Sequence, residues 1–151
     1  MSLKETIDQD IKAAMRAKDQ TRLLTLRAIK ASILLAETAE GKTEHSINQD
    51  EELALLAREA KQRRESMNQF LANDRPDLAE KEEKELAVIE EYLPKPLSPE
   101  ELEAAVRKAI ADLGATSMKD MGRVMGVVTK ALLGKAEGSA ISQIVKKLLG
   151  A

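Results

Sequence analysis

Apolar residues recur along this chain at three- and four-residue intervals, the period of amphipathic helices rather than the alternation of strands. Leu3, Ile7, Ile11, Ala14 and Met15 line one face of a first predicted helix, which ends near Lys18. Ser2 and Glu5 open it as a capping box, the hydroxyl and the carboxylate each satisfying an amide that the helix leaves unpaired. Asp19 or Thr21 starts a second helix carrying Leu23, Leu26, Ile29, Ile33 and Leu34. A polar loop broken by Gly41 follows, with His45 in it. Asn48 and Glu51 cap a third helix, along which Leu53, Leu56, Ala60, Met67 and Phe70 keep helical spacing. Asn73-Asp74-Arg75-Pro76 stops it, because the residue before a proline avoids the α region. Asp77 and Glu80 then predict the start of a fourth, bearing Leu78, Leu86, Ile89 and Leu93.

Punctuation sharpens after Leu93. Pro94, Pro96 and Pro99 stiffen an extended connector over 94–99 and forbid a continuous helix. Ser98 as cap, Pro99 at the first helical position and Glu101 three residues after the cap start a fifth helix, which Gly114 stops. Ser117 with Asp120 caps a sixth, ending near Gly134, and Gly138-Ser139 leads into a seventh carrying Ile141, Ile144, Val145, Leu148 and Leu149. The pattern predicts an all-α protein in two parts. A four-helix unit over 1–93 is followed by a connector over 94–99 and a small three-helix bundle over 100–151. A bundle of that size folds only marginally by itself.

Composition removes whole classes of chemistry. The 151 residues hold no cysteine, which excludes disulfides, thiolate metal sites and a cysteine nucleophile, and one histidine cannot build a multi-histidine site. Phe70 and Tyr92 are the only aromatic residues, so neither a β-sandwich core nor a base-stacking platform is supported. No apolar run approaches the ~20 residues of a membrane span. The polar start Met1-Ser2-Leu3-Lys4-Glu5 does not read as a signal or transit peptide, so a soluble cytoplasmic protein is expected. No phosphate-binding loop, dinucleotide turn or H-E-x-x-H pair occurs, and no cofactor or metal is expected. His45 reads as a solvated loop residue, and Glu80, Glu82, Glu83, Glu85, Glu90 and Glu91 read as a solvated acidic face rather than paired catalytic carboxylates.

Charge changes the picture more than its total suggests. The net charge is only −2, but up to Pro94 there are 15 Lys/Arg against 20 Asp/Glu, and from Lys95 onward 9 against 6. Residues 104–151 alone carry 8 against 3, or +5, a basic surface suited to a polyanion. On the sixth predicted helix Lys119, Arg123 and Lys130 fall within a sector of roughly 40°, at about 100° per residue. The apolar residues Met121, Val124, Met125 and Val128 lie opposite, and Gly122 and Gly126 flank the basic stripe. Each helical glycine costs about 0.8–1.0 kcal/mol relative to alanine, so something must offset it. Either a neighbouring helix packs closely there, or an anionic backbone does. Lys135, Lys146 and Lys147 add positive potential around this stripe, as do Arg107 and Lys108 on the fifth helix. Without aromatics, any RNA contact would be to phosphate and ribose shape, which favours a folded RNA such as tRNA over single strands.

Several stretches resemble one family. Lys61-Gln62-Arg63-Arg64-Glu65-Ser66, Arg75-Pro76-Asp77-Leu78-Ala79, Glu91-Tyr92-Leu93-Pro94, Asp120-Met121-Gly122-Arg123-Val124-Met125-Gly126 and Gly134-Lys135-Ala136-Glu137-Gly138 are similar to the YqeY family. The resemblance runs from about Leu3 to Leu149, and the D-M-G-[KR]-V-M-G stretch is its most specific part. Arg123 stands where lysine is common and Glu137 where aspartate is common, both keeping the charge. The resemblance implies small bacterial proteins, all-helical and two-part, similar to the tail of the B subunit of the aspartyl/glutamyl-tRNA amidotransferase. It also implies a three-helix terminal unit that contacts tRNA, related to a unit appended to some glutaminyl-tRNA synthetases. A carbon–nitrogen ligase label with glutamine as amide donor would travel with the family. Nothing in the chain resembles that enzyme's catalytic cradle, so no catalysis is expected of this chain alone.

Together these readings predict a non-catalytic protein that binds tRNA or another folded RNA, or assists amidotransferase or aminoacyl-tRNA synthetase machinery. Lys119, Arg123 and Lys130 would meet phosphates, Gly122 and Gly126 would admit a close backbone, and Lys135, Lys146 and Lys147 would supply peripheral charge. The alternatives are a helical protein-interaction module with no RNA role, or a true amidotransferase subunit that depends on partner chains.

Overall fold

A computed structural model describes residues 1–39 and 46–150, so His45 and its loop lie outside the described residues. Those residues form seven α-helices and no strand: α1 Leu3–Ala17, α2 Gln20–Thr38, α3 Gln49–Ala72, α4 Pro76–Glu90, α5 Pro99–Leu113, α6 Met121–Ala131 and α7 Gly138–Gly150. A short 3₁₀ turn, Met118–Asp120, precedes α6. No described helix is long and apolar enough to cross a membrane. Two compact units divide the chain, Met1–Leu93 and Pro94–Ala151.

Local chemistry sets most helix boundaries. The Ser2 hydroxyl accepts the Glu5 N–H at 3.2 Å while the Ser2 N–H donates to the Glu5 carboxylate at 3.3 Å. Asp19, Asn48 and Ser98 accept the N–H of Arg22, Glu51 and Glu101 at 3.1, 2.8 and 3.1 Å. Lys18 closes α1 in the left-handed conformation at φ 56°. The start of α4 differs from the sequence reading. Pro76, with its fixed φ and missing N–H, takes the first helical position, which moves the boundary back to Arg75. Asp77 is therefore inside the helix, where its carboxylate accepts two bonds from the Arg75 guanidinium at 3.0 and 3.1 Å.

In the first unit α2 contributes the inner wall, burying Leu26, Ile29 and Ile33 with Ile7 of α1, Leu56 of α3 and Ile89 of α4. The expected solvated acidic face is only partly that. Glu80, Glu83, Glu90 and Glu91 are exposed, but Glu82 and Glu85 turn inward because α4 lies along α3. There the Arg63 Nε sits 3.0 Å from Glu85 and 3.7 Å from Glu82, with Glu59 another 3.7 Å from the guanidinium. Three carboxylates share one cation. Burial, reinforced by the neighbouring Glu85 charge, raises the Glu82 carboxyl above the usual range.

The second unit packs α5, α6 and α7 against one another around Leu102, Val106, Val124, Val128, Ile141, Val145 and Leu149. Gly114 ends α5 at φ 65° and Gly134 reverses the chain after α6 at φ 80°, both in the left-handed region that glycine adopts without strain. The Lys135 carbonyl accepts the Leu97 N–H at 3.0 Å, tying the end of the Pro-rich segment to the turn after α6.

Candidate nucleic-acid interface

The 3₁₀ turn before α6 is built by two residues that face each other. The Ser117 hydroxyl accepts the Lys119 N–H at 3.3 Å, and the Asp120 carboxylate accepts the N–H groups of Thr116 and Ser117 at 2.9 and 3.4 Å. Those backbone bonds, and then the Arg123 guanidinium, hold the Asp120 carboxyl below its ordinary range. The turn also corrects the expected register. Lys119 lies on it, before the first α-helical residue Met121, so the 100° spacing does not carry from Lys119 to Arg123. Arg123 and Lys130, seven residues apart within α6, do share one line of its surface.

All eight predicted site residues, Lys119, Gly122, Arg123, Gly126, Lys130, Lys135, Lys146 and Lys147, are solvent-exposed. Their charges are not equally available. The Arg123 guanidinium lies 3.2 Å from Asp120, an exposed pair that leaves 52% of the arginine side chain in water. Lys147 of α7 reaches Glu103 of α5 at 3.4 Å, and Arg107 meets the same Glu103 oxygen at 3.3 Å. That pairing, Lys147 foremost, lowers the Glu103 carboxyl. Among the described residues, no carboxylate lies within ion-pair distance of Lys119, Lys130, Lys135 or Lys146. The Asp120–Arg123 pair is readable from its three-residue spacing; Glu103 with Lys147, 44 residues apart, is not.

The surroundings of the two glycines bear on one of the explanations offered for their cost. A methyl group placed on Gly122 or Gly126 would meet no atom within 4 Å beyond the helix's own backbone and chain neighbours. No helix of the unit packs closely there, so the small-residue contact expected as one explanation is absent. On one exposed face of α6 the backbone is bare at Gly122 and Gly126 and cationic at Arg123 and Lys130. Among the described residues no group of His, Cys, Asp and Glu is arranged to hold a metal ion.

The model of the family described as Yqey-like protein matches residues 4–149. The chain belongs to the YqeY family. It is 32% identical over 150 residues to a protein of the fungus Pyrenophora tritici-repentis named altered inheritance of mitochondria protein 41, mitochondrial, covering 96% of this chain and 80% of that one. A protein of the same name from Vanderwaltozyma polyspora is 34% identical over 148 residues, covering 93% of this chain and 79% of its own length. Another, from Saccharomyces cerevisiae, is 34% identical over 106 residues, with 67% and 55% covered. These names overturn the expectation of a cytoplasmic protein, since each is that of a mitochondrial protein. The composition of the first residues carried that expectation, and composition alone did not discriminate compartments. Nor is the likeness confined to small bacterial proteins, because these relatives are fungal.

Proposed function

We propose that this YqeY-family chain binds folded RNA, tRNA foremost, through the exposed face of α6, as a non-catalytic accessory to machinery that acts on aminoacyl-tRNA. The open space over Gly122 and Gly126 carries the reading: two glycines interrupt a helix at positions where nothing in the unit needs them. A sugar–phosphate backbone can approach a bare helix surface more closely than one covered by side chains. Arg123 and Lys130 lie beside that surface to meet phosphates, with Lys119, Lys135 and Lys146 as further charge that has no ion-pair partner among the described residues. Lys147 contributes less, being shared with Glu103. The resemblance of the D-M-G-R-V-M-G stretch to a tRNA-contacting tail supports tRNA as the RNA in question.

Replacing both glycines by alanine separates stability from binding. Gly126→Ala, inside α6, should stabilise the unit by about 0.8–1.0 kcal/mol, and Gly122→Ala, in the first turn of that helix, by less. The double variant should nevertheless bind bulk tRNA several-fold more weakly by fluorescence anisotropy. A variant that melts higher and binds tRNA as before would remove the glycines from the account.

A second reading, a helical protein-interaction module, is favoured by a different observation. Leu24, Leu34 and Leu35 of α2 are 56%, 41% and 71% exposed, unusual for leucines along one helix. Association with a protein partner that survives nuclease and high salt would favour this reading over RNA.

A further inference from the structure

Val127 stands out on the basic face of α6. It lies four residues after Arg123 and three before Lys130, on the same exposed side, and 45% of it is open to water. It forms one wall of an apolar groove between α5 and α6 of about 320 Å³. Ala105 and Ala109 of α5 and Ala131 of α6 give the groove small-residue walls, Leu113 and Leu132 add to its lining, and Lys108 and Asp112 contribute its polar edge. Three features thus follow one another around α6: bare backbone at Gly122 and Gly126, cations at Arg123 and Lys130, and then the apolar groove.

We infer that this groove receives one unstacked nucleobase of the bound RNA while its phosphates lie on Arg123 and Lys130. The inference rests on the RNA-binding reading and gives that surface a second, uncharged subsite. Charge complementarity selects the occupant. An apolar group entering here passes cations at Arg123, Lys130 and Lys108, so it fits best when it arrives attached to negative charge. A nucleotide has that construction, a flat apolar-faced base joined through ribose to a phosphate. The alanine walls leave room for a base edge where larger side chains would close the groove. The lack of aromatic residues in this unit rules out stacking, which is why the sequence pattern predicts only phosphate and ribose contacts. The aliphatic walls of this groove nevertheless offer a base dispersion contact that the pattern does not display. Asp112 at the rim is an acceptor for an exocyclic amino group. Only a base already out of its helical stack, in a loop or a bulge, is free to enter.

The test uses the full chain and two fluorescein-labelled RNA duplexes matched in phosphate number, one fully paired and one with a single unpaired guanosine. At low salt the protein should bind the bulged probe about tenfold more tightly, the order expected when one base buries a small apolar area in the groove. Ala131→Leu, at an exposed position, and Ala109→Leu, deeper in the groove, should abolish that preference. Both should leave affinity for the paired duplex and its salt dependence unchanged. Circular dichroism identifies any loss of helix in Ala109→Leu, in which case Ala131→Leu decides. Equal binding of the two probes by the unaltered protein would overturn the inference, leave the RNA-binding reading intact and point to an apolar protein segment as the groove's occupant. A preference that survives both substitutions would also overturn it, by placing the base elsewhere. Failure to bind either probe at low salt would overturn the RNA-binding reading itself.

Discussion

Asp120 accepts two backbone N–H groups and one guanidinium at once, so the residue that shapes the entry to α6 also restrains its arginine. In the proposed RNA complex a phosphate arriving at Arg123 would compete with that carboxylate. Exposed pairs of this kind are weak, so the exchange is easy. Arg123→Ala should weaken binding to every RNA sequence alike and reduce the slope of log affinity against log salt by about 1, as expected for one lost phosphate contact. Asp120→Asn removes a negative charge from beside the proposed phosphate site and frees Arg123, so RNA binding should strengthen while the second unit melts lower. Anisotropy titrations of both variants at several salt concentrations check the pair of expectations. Sequence-specific loss in Arg123→Ala would mean that it reads bases instead.

Elements show where local chemistry was legible and where it was not. The caps at Ser2, Asp19, Asn48 and Ser98 act over three residues, a range that sequence displays directly. Asp77 misled because Pro76 beside it claims the first helical position, and two local signals were in competition. Lys119 misled because a 3₁₀ turn and an α-helix share capping residues while differing in residues per turn. Glu82 and Glu85 needed the packing of α4 along α3, which no local pattern contains. The two units carry opposite pH responses, each from its own local contacts. The Glu82 carboxyl is raised, so its contribution to stability is full below the ordinary glutamate range and is lost as pH climbs through the raised value. Asp120 and Glu103 are lowered, so theirs is present above the ordinary carboxylate range and lost as pH falls through the lowered values. Thermal unfolding should accordingly show Glu82→Gln melting higher than the unaltered chain at neutral pH, with the gain shrinking in acid. A gain that grows in acid would contradict the assignment.

For the whole molecule, the separation of charge is the property on which the proposed RNA binding rests. A net charge of −2 conceals an acidic stretch up to Pro94 and a +5 segment over residues 104–151. The fungal mitochondrial names of its relatives remove the cytoplasmic expectation and leave that charge separation untouched. Binding driven by phosphate contacts releases counterions, so its affinity depends on ionic strength in a way that apolar association does not. The most direct measurement is therefore the affinity of the intact chain for bulk tRNA between low and physiological salt. The account predicts detectable binding at low salt that falls steeply and log-linearly as salt rises. No binding at low salt, or an affinity indifferent to salt, would contradict it.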